Sequence, residues 1–116
     1  MKQEAFTMSL LFDTYGALLT EKQKTYFDLY YNQDLSLAEI AEQEGISRQG
    51  VHDAISRSEA LLASFERVTG CVAREQKLRH ALAAITAEAQ PLLQAGDPAT
   101  RQGAQRILAA VDSLKE

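Results

Sequence analysis

Tryptophan is absent and cysteine occurs once, as Cys71. A lone thiol cannot close an internal disulfide, so the expectation is a fold without cross-links in a reducing compartment. No apolar run approaches the roughly 20 residues that span a bilayer. The opening Met1-Lys2-Gln3-Glu4 is not followed by the continuous apolar stretch of a signal peptide. A cytoplasmic protein with no membrane partner is therefore expected. Valine is scarce and no segment alternates with period two, which argues against sheet. An excess of positive charge is also missing. The net charge is −4, divided as −1 over residues 1–19, −5 over 20–66 and +2 over 67–116. Such a chain has no global attraction for phosphate, so any affinity for nucleic acid must come from a local arrangement.

What is present is the balance of a globular domain, with 46% hydrophobic and 24% charged residues. A chain of 116 residues can build one modest core. Alanine and leucine dominate the apolar set and favour helix. Leu10, Leu11, Tyr15, Leu18 and Leu19 recur at helical spacing and predict a first helix from about Phe6 to Leu18. Thr20-Glu21-Lys22-Gln23 has the form of a capping box and opens a second helix through Tyr26, Phe27, Leu29, Tyr30 and Tyr31, ending near Asn32-Gln33-Asp34. Ser36-Leu37-Ala38-Glu39 repeats that form before a short third helix, which Gly45 ends in a left-handed conformation. Ser47 caps a fourth helix with apolar positions Val51, Ile55, Leu62 and Phe65, and Gly70 marks its end.

Beyond Gly70, Leu78, Leu82, Ile85, Ala89 and Leu92 form a heptad-like seam closed by Pro91 and Gly96-Asp97-Pro98. Asp97 caps the last helix, Pro98 stands at its first position, and Ala104, Ile107, Val111 and Leu114 supply a second seam. The predicted fold is an all-α bundle. Residues 1–69 make a helix-turn-helix domain without a wing. Residues 70–116 make a helical hairpin that packs on it or forms a dimer interface.

The stretch from Ser36 to Phe65 carries the functional signal: short helix, glycine turn, longer helix. Small Ala41 permits close approach, and Ile46, Val51 and Ile55 fill the wedge between the helices. This is the pattern of a helix-turn-helix whose second helix enters the major groove. With Val51 set towards the core, Ile55, Ser58 and Leu62 fall on its side, while Gln49, Asp53, Ser56 and Ala60 fall opposite, flanked by His52 and Arg57. The candidate nucleic-acid-binding residues are Ser47, Arg48, Gln49, His52, Ser56 and Arg57. Arginine pairs with guanine edges or phosphate and glutamine with adenine. The helix start at Ser47 can hold a phosphate through backbone N–H groups. Asp53 and Arg57 stand four apart and can pair, which would pre-orient Arg57 and blunt the repulsion of Asp53. A structural corner with a solvated polar face has the same apolar pattern. The agreement of turn chemistry, wedge and donor face favours the binding function.

Other residues receive ordinary roles. His52, His80 and Cys71 lack metal-ligand spacing, so no metal or cofactor is expected. Cys71 is assigned to packing, and the aromatics Phe6, Phe12, Tyr15, Tyr26, Phe27, Tyr30 and Tyr31 to the core. Glu39, Glu42 and Glu44 form a solvated acidic face or meet a basic protein. No phosphate loop, dinucleotide turn or catalytic carboxylate pair occurs, so no enzymatic activity is expected.

Ser36-Leu37-Ala38-Glu39-Ile40-Ala41 through Gly45-Ile46-Ser47-Arg48-Gln49 and Val51 resembles region 4 of bacterial sigma factors. A closer resemblance runs through Leu11-Phe12-Asp13, Tyr15, Leu18 to Lys24, Tyr30-Tyr31, Ser47 to Asp53 and Arg57-Ser58-Glu59. These residues are similar to the YlxM family of small bacterial helix-turn-helix proteins, over roughly residues 9–67. Genes of that family typically neighbour those of the signal recognition particle GTPase or its receptor. The resemblance implies a regulatory nucleic-acid-binding protein of that pathway. The alternative is an adaptor that binds the particle's GTPase through its acidic helices. Gly50 and His52 stand where the family pattern leads one to expect alanine and an aromatic, and the C-terminal hairpin has no match. A homodimer is expected, because one helix-turn-helix reads few base pairs and a two-fold doubles the contact.

Overall fold

The computed structural model describes residues 4–115. Six α-helices follow in order: α1 (Ala5–Tyr15), α2 (Glu21–Phe27), α3 (Leu37–Glu44), α4 (Arg48–Thr69), α5 (Cys71–Ala89) and α6 (Pro98–Asp112). A 3-10 turn (Gly16–Leu18) follows α1, a π-helical turn (Asp28–Asn32) extends α2, and a 3-10 segment (Gln90–Gln94) follows α5. Among the described residues there is no strand, and no helix is long and apolar enough to cross a membrane. The chain is all-α, and it divides into two compact units, Met1–Val72 and Ala73–Glu116.

Local chemistry sets the helix starts. Thr20 and Ser36 both close full capping boxes, Thr20 with Gln23 and Ser36 with Glu39. Ser47 accepts the Gly50 N–H and Asp97 accepts the Thr100 N–H. Each such cap is worth about 1 kcal/mol. Gly45 (φ 72°) and Gly70 (φ 64°) end α3 and α4 in the left-handed region.

The first unit contains two apolar clusters that share α4. Met8, Leu11, Tyr15, Leu19, Phe27 and Val72 surround Leu62. Tyr26, Leu29, Tyr30, Ile40 and Ala41 surround Val51 and Ile55. Phe27 stacks on Phe12 (4.6 Å between ring centres) and on Tyr31 (4.4 Å), pairs that add roughly 0.5–1.5 kcal/mol each beyond burial. The π turn is held by Asp28, whose carboxylate accepts from the side chains of Asn32 (2.8 Å) and Gln33 (2.9 Å). Those two bonds hold the Asp28 carboxyl below the usual carboxylate range. Asp34 then stops the helix with a positive φ of 59°, which a short polar side chain tolerates better than most.

At the α4–α5 junction, Tyr15 donates to Glu66 and also meets the Thr69 hydroxyl. Glu66 in turn accepts the Val72 N–H (3.0 Å), and Thr69 accepts the Cys71 N–H (3.3 Å). Side chains thus satisfy donors at the start of α5 that have no intrahelical partner. Burial pushes the Tyr15 phenol up, and its bond to Glu66 pushes it the same way.

Several expectations require correction. The first helix stops at Tyr15 rather than Leu18, and the 3-10 turn leaves Leu18 exposed. Phe6 stands two residues before Met8, about 200° around α1 from that core position at 100° per residue, and is 70% exposed, so it is not a core aromatic. Ile46 is also partly exposed and fills less of the wedge than expected. Cys71 is exposed, because its helix turns Val72 inward instead.

In the second unit, Leu82 and Ala89 of α5 and Ala104 and Val111 of α6 are buried, whereas Leu78, Ile85, Leu92, Ile107 and Leu114 are exposed. Two helices can bury only the row each turns to the other. The guanidinium of Arg101 closes the connection by donating to the carbonyls of Ala95 (2.7 Å) and Gly96 (3.0 Å).

Candidate nucleic-acid interface

The turn between α3 and α4 is built from backbone hydrogen bonds. The N–H groups of Gly45 (2.9 Å) and Ile46 (3.1 Å) both reach the Ala41 carbonyl, and the second of these is the six-to-one bond of a Schellman ending. Nothing lies within 4 Å of where a Gly45 side chain would begin, so its need for glycine is purely conformational. Two residues on, the Ser47 hydroxyl accepts the Gly50 N–H (2.9 Å). A Cβ at Gly50 would lie 3.1 Å from that hydroxyl oxygen, so the absent side chain leaves room for the cap.

From this start α4 presents two faces. Val51, Ile55, Ser58 and Leu62 are buried, and the Ser58 hydroxyl is satisfied by the Ala54 carbonyl (2.9 Å). Ser47, Arg48, Gln49, His52, Ser56 and Arg57 are all exposed. At 1.5 Å per residue these six span about 15 Å of helix, a length that fits within one groove crossing. Their chemistry is unequal. Ser47 spends its acceptor on the cap. Among the described residues, Arg48 and Arg57 make no side-chain hydrogen bond or ion pair, so both cations are available to an anion.

Asp53 is engaged on the N-terminal side of its own position. It does not pair with Arg57. Its carboxylate accepts from Gln49 Nε2 (2.9 Å) and lies 3.4 Å from His52 Nδ1. The Gln49 bond, then the His52 contact, hold its carboxyl below the usual range, and Arg57 adds only a distant charge. The spacing 49–53 is as helical as 53–57, and a polar amide on that face was the available signal. Three of the face's side chains therefore form one small network with an anionic centre. On α3, Glu39 is committed to the Ser36 cap, and its bond from the Ser36 N–H holds its carboxyl low. Tyr31 donates to Glu59 and fastens the π turn to α4 behind the exposed face.

The chain matches, over residues 2–95, the model of the UPF0122 family, described as "Putative helix-turn-helix protein, YlxM / p13 like". It is 45% identical over 104 residues to the UPF0122 protein of Symbiobacterium thermophilum, covering 90% of this chain and 91% of that one. It is 40% identical over 116 residues to the UPF0122 protein of Halalkalibacterium halodurans, covering 99% and 100% of the two. A UPF0122 protein of a Thermoanaerobacter species is 48% identical over 82 residues, 71% of this chain and 70% of the other. The residues matched include the capping boxes, the glycine turn and the two-faced α4, and the chain belongs to the UPF0122 family of YlxM / p13-like proteins.

Proposed function

We propose that this protein is a regulatory nucleic-acid-binding protein that uses the N-terminal half of α4 as its recognition helix. The carrying observation is the two-faced α4 directly after a left-handed glycine turn, with Arg48 and Arg57 exposed and unengaged among the described residues. In this reading Arg48 and Arg57 hold phosphate or guanine edges, and Gln49, His52 and Ser56 supply donors between them. Ser47 sets the helix start at which backbone N–H groups meet phosphate. No enzymatic step is assigned. A place in the signal recognition particle pathway, in the cytoplasm, is supported by the resemblance to the YlxM family alone.

The test is binding of short mixed-sequence DNA and RNA duplexes, read by fluorescence anisotropy at several salt concentrations. Arg48→Ala with Arg57→Ala is expected to weaken binding with the fold intact. If both contact phosphate, the salt dependence flattens by about one unit per lost contact. A double variant that binds every duplex as the wild type does overturns the assignment, and so does a wild type that binds neither duplex at low salt.

A second function is favoured by the charge of the N-terminal unit: Glu42 is exposed on α3 and residues 20–66 carry a net −5. An adaptor would use this face to bind a basic protein such as the particle's GTPase. Pull-down from lysate with and without nuclease separates the two. A partner that persists after nuclease and is lost in Glu42→Lys supports the adaptor; one lost on nuclease treatment supports nucleic acid.

A further inference from the structure

Gln49 stands in the first turn of α4, the part of a recognition helix that reaches base edges. Its amide is held in one sense. Nε2 donates to Asp53 Oδ1 at 2.9 Å, one turn further along the same exposed face. A carboxylate has only acceptors, so it takes the NH2 end of the amide and turns the carbonyl oxygen away. His52 Nδ1 stands 3.4 Å from the same carboxylate oxygen, so a second side chain steadies Asp53. Among the described residues, Oε1 and the second N–H of Gln49 have no hydrogen-bond partner. One acceptor and one donor therefore stay open to a ligand.

An unrestrained glutamine can exchange its oxygen and nitrogen by a half-turn of the amide, and so fit more than one base. Asp53 opposes that half-turn, because it would bring Oε1 against the carboxylate. In water the opposition is small, as exposed contacts between residues four apart are weak. It grows when a docked base excludes water and the two oxygens are no longer screened. The open acceptor and donor are the complement of adenine, whose major-groove edge offers the N6 amino group and N7. Guanine offers two acceptors, N7 and O6, which an amide oxygen and a carboxylate both repel. Cytosine N4 and thymine O4 each match only half of the amide.

We propose that Gln49 reads an adenine in the major groove of duplex DNA, and that Asp53 is the positioning residue that fixes this choice. The proposal rests on the nucleic-acid reading of α4 and adds to it the base and the residue that selects it. Arg48 and Arg57 supply the attraction, and the Gln49–Asp53 pair supplies discrimination at one base pair.

The test uses the full chain and DNA duplexes that the wild type selects from a randomised pool, with each base pair then replaced in turn and binding read by anisotropy. The wild type is expected to prefer adenine at one position by about fivefold or more, the discrimination of a single bidentate contact. Gln49→Ala should abolish the preference at that position alone. Both residues are exposed, so helical circular dichroism should be unchanged in every variant. Asp53→Asn should raise affinity and reduce the same preference. In a Gln49→Ala background, Asp53→Asn should still raise affinity but leave base preference unchanged, because Asp53 acts on the base only through Gln49. An Asp53→Asn variant that changes affinity and keeps the full preference overturns the proposal. So does a Gln49-dependent position that prefers guanine, or the absence of any Gln49-dependent position. A wild type that binds RNA duplexes and no DNA overturns the proposal but leaves the nucleic-acid reading standing, since side chains cannot read the deep major groove of A-form RNA. A wild type that binds neither overturns both.

Discussion

Gln49 Nε2 donates to Asp53 Oδ1 at 2.9 Å, one turn along the exposed face of α4, and His52 approaches the same oxygen. The face assigned to nucleic acid therefore has a carboxylate at its centre that restrains two of its own donors. Asp53→Asn removes the negative charge and keeps the shape. It is expected to raise affinity for duplexes several-fold and to relax sequence preference at the base that Gln49 meets. The anisotropy titration measures the first and a randomised-duplex selection the second. An Asp53→Asn variant that binds more weakly would instead make Asp53 a reader, accepting from a cytosine amino group.

Acid stability follows from three carboxyls held below the usual range: Asp28 by Asn32 and Gln33, Glu39 by the Ser36 backbone, and Asp53 by Gln49. Each is more acidic in the folded chain than in the unfolded one. On lowering the pH the unfolded state takes up protons first. Their contributions are thus complete above the ordinary carboxylate pKa of about 4 and fade as the pH falls through the lowered folded values. Urea midpoints measured against pH should drop below about pH 4. Glu39→Gln, which keeps a capping oxygen but cannot titrate, should show a shallower drop.

Gly45 tests the turn in isolation. Its φ is 72° and nothing lies within 4 Å of a Cβ there, so any cost is backbone strain rather than collision. Gly45→Val is expected to cost more than about 1–2 kcal/mol and Gly45→Asn distinctly less, since asparagine tolerates the left-handed region. Thermal melts of the two variants check the order. Equal melting temperatures would mean that the turn tolerates another geometry.

Leu62 and Phe6 form a matched pair of opposite expectations. Leu62 is fully buried where α1, α2 and α4 meet, so Leu62→Ala should cost about 2–5 kcal/mol. Phe6 is 70% exposed, so Phe6→Ser should stay within about 0.5 kcal/mol of wild type. Denaturant titration compares both with the parent chain.

The caps at Thr20, Ser36, Ser47 and Asp97, and the left-handed stops at Gly45 and Gly70, were legible in the sequence. Each depends on a hydroxyl, a carboxylate or a missing Cβ within three or four residues of the backbone group it serves. The buried face of α4 was legible too, since helical period alone sets Val51, Ile55, Ser58 and Leu62 on one side. The six candidate contact residues share the other side for the same reason. Where the answer depended on neighbours distant in the chain, the pattern was ambiguous. Phe6, Leu18, Leu78 and Ile85 carry the same hydrophobic signal as Leu11 and Leu82. They lie exposed because a helix covers only the strip that another element reaches. The π turn at Asp28–Asn32 also escaped a purely periodic reading. It arises where Leu29 and Tyr30 are buried in one cluster while Phe27 is drawn into the other. Asp53 had two candidate partners at helical spacing, and only the side-chain geometry shows it bonded to Gln49 rather than to Arg57. Local bonding and helical period thus define the elements and their faces, while the choice among equivalent apolar positions belongs to tertiary packing, because burial needs a second element to reach the strip.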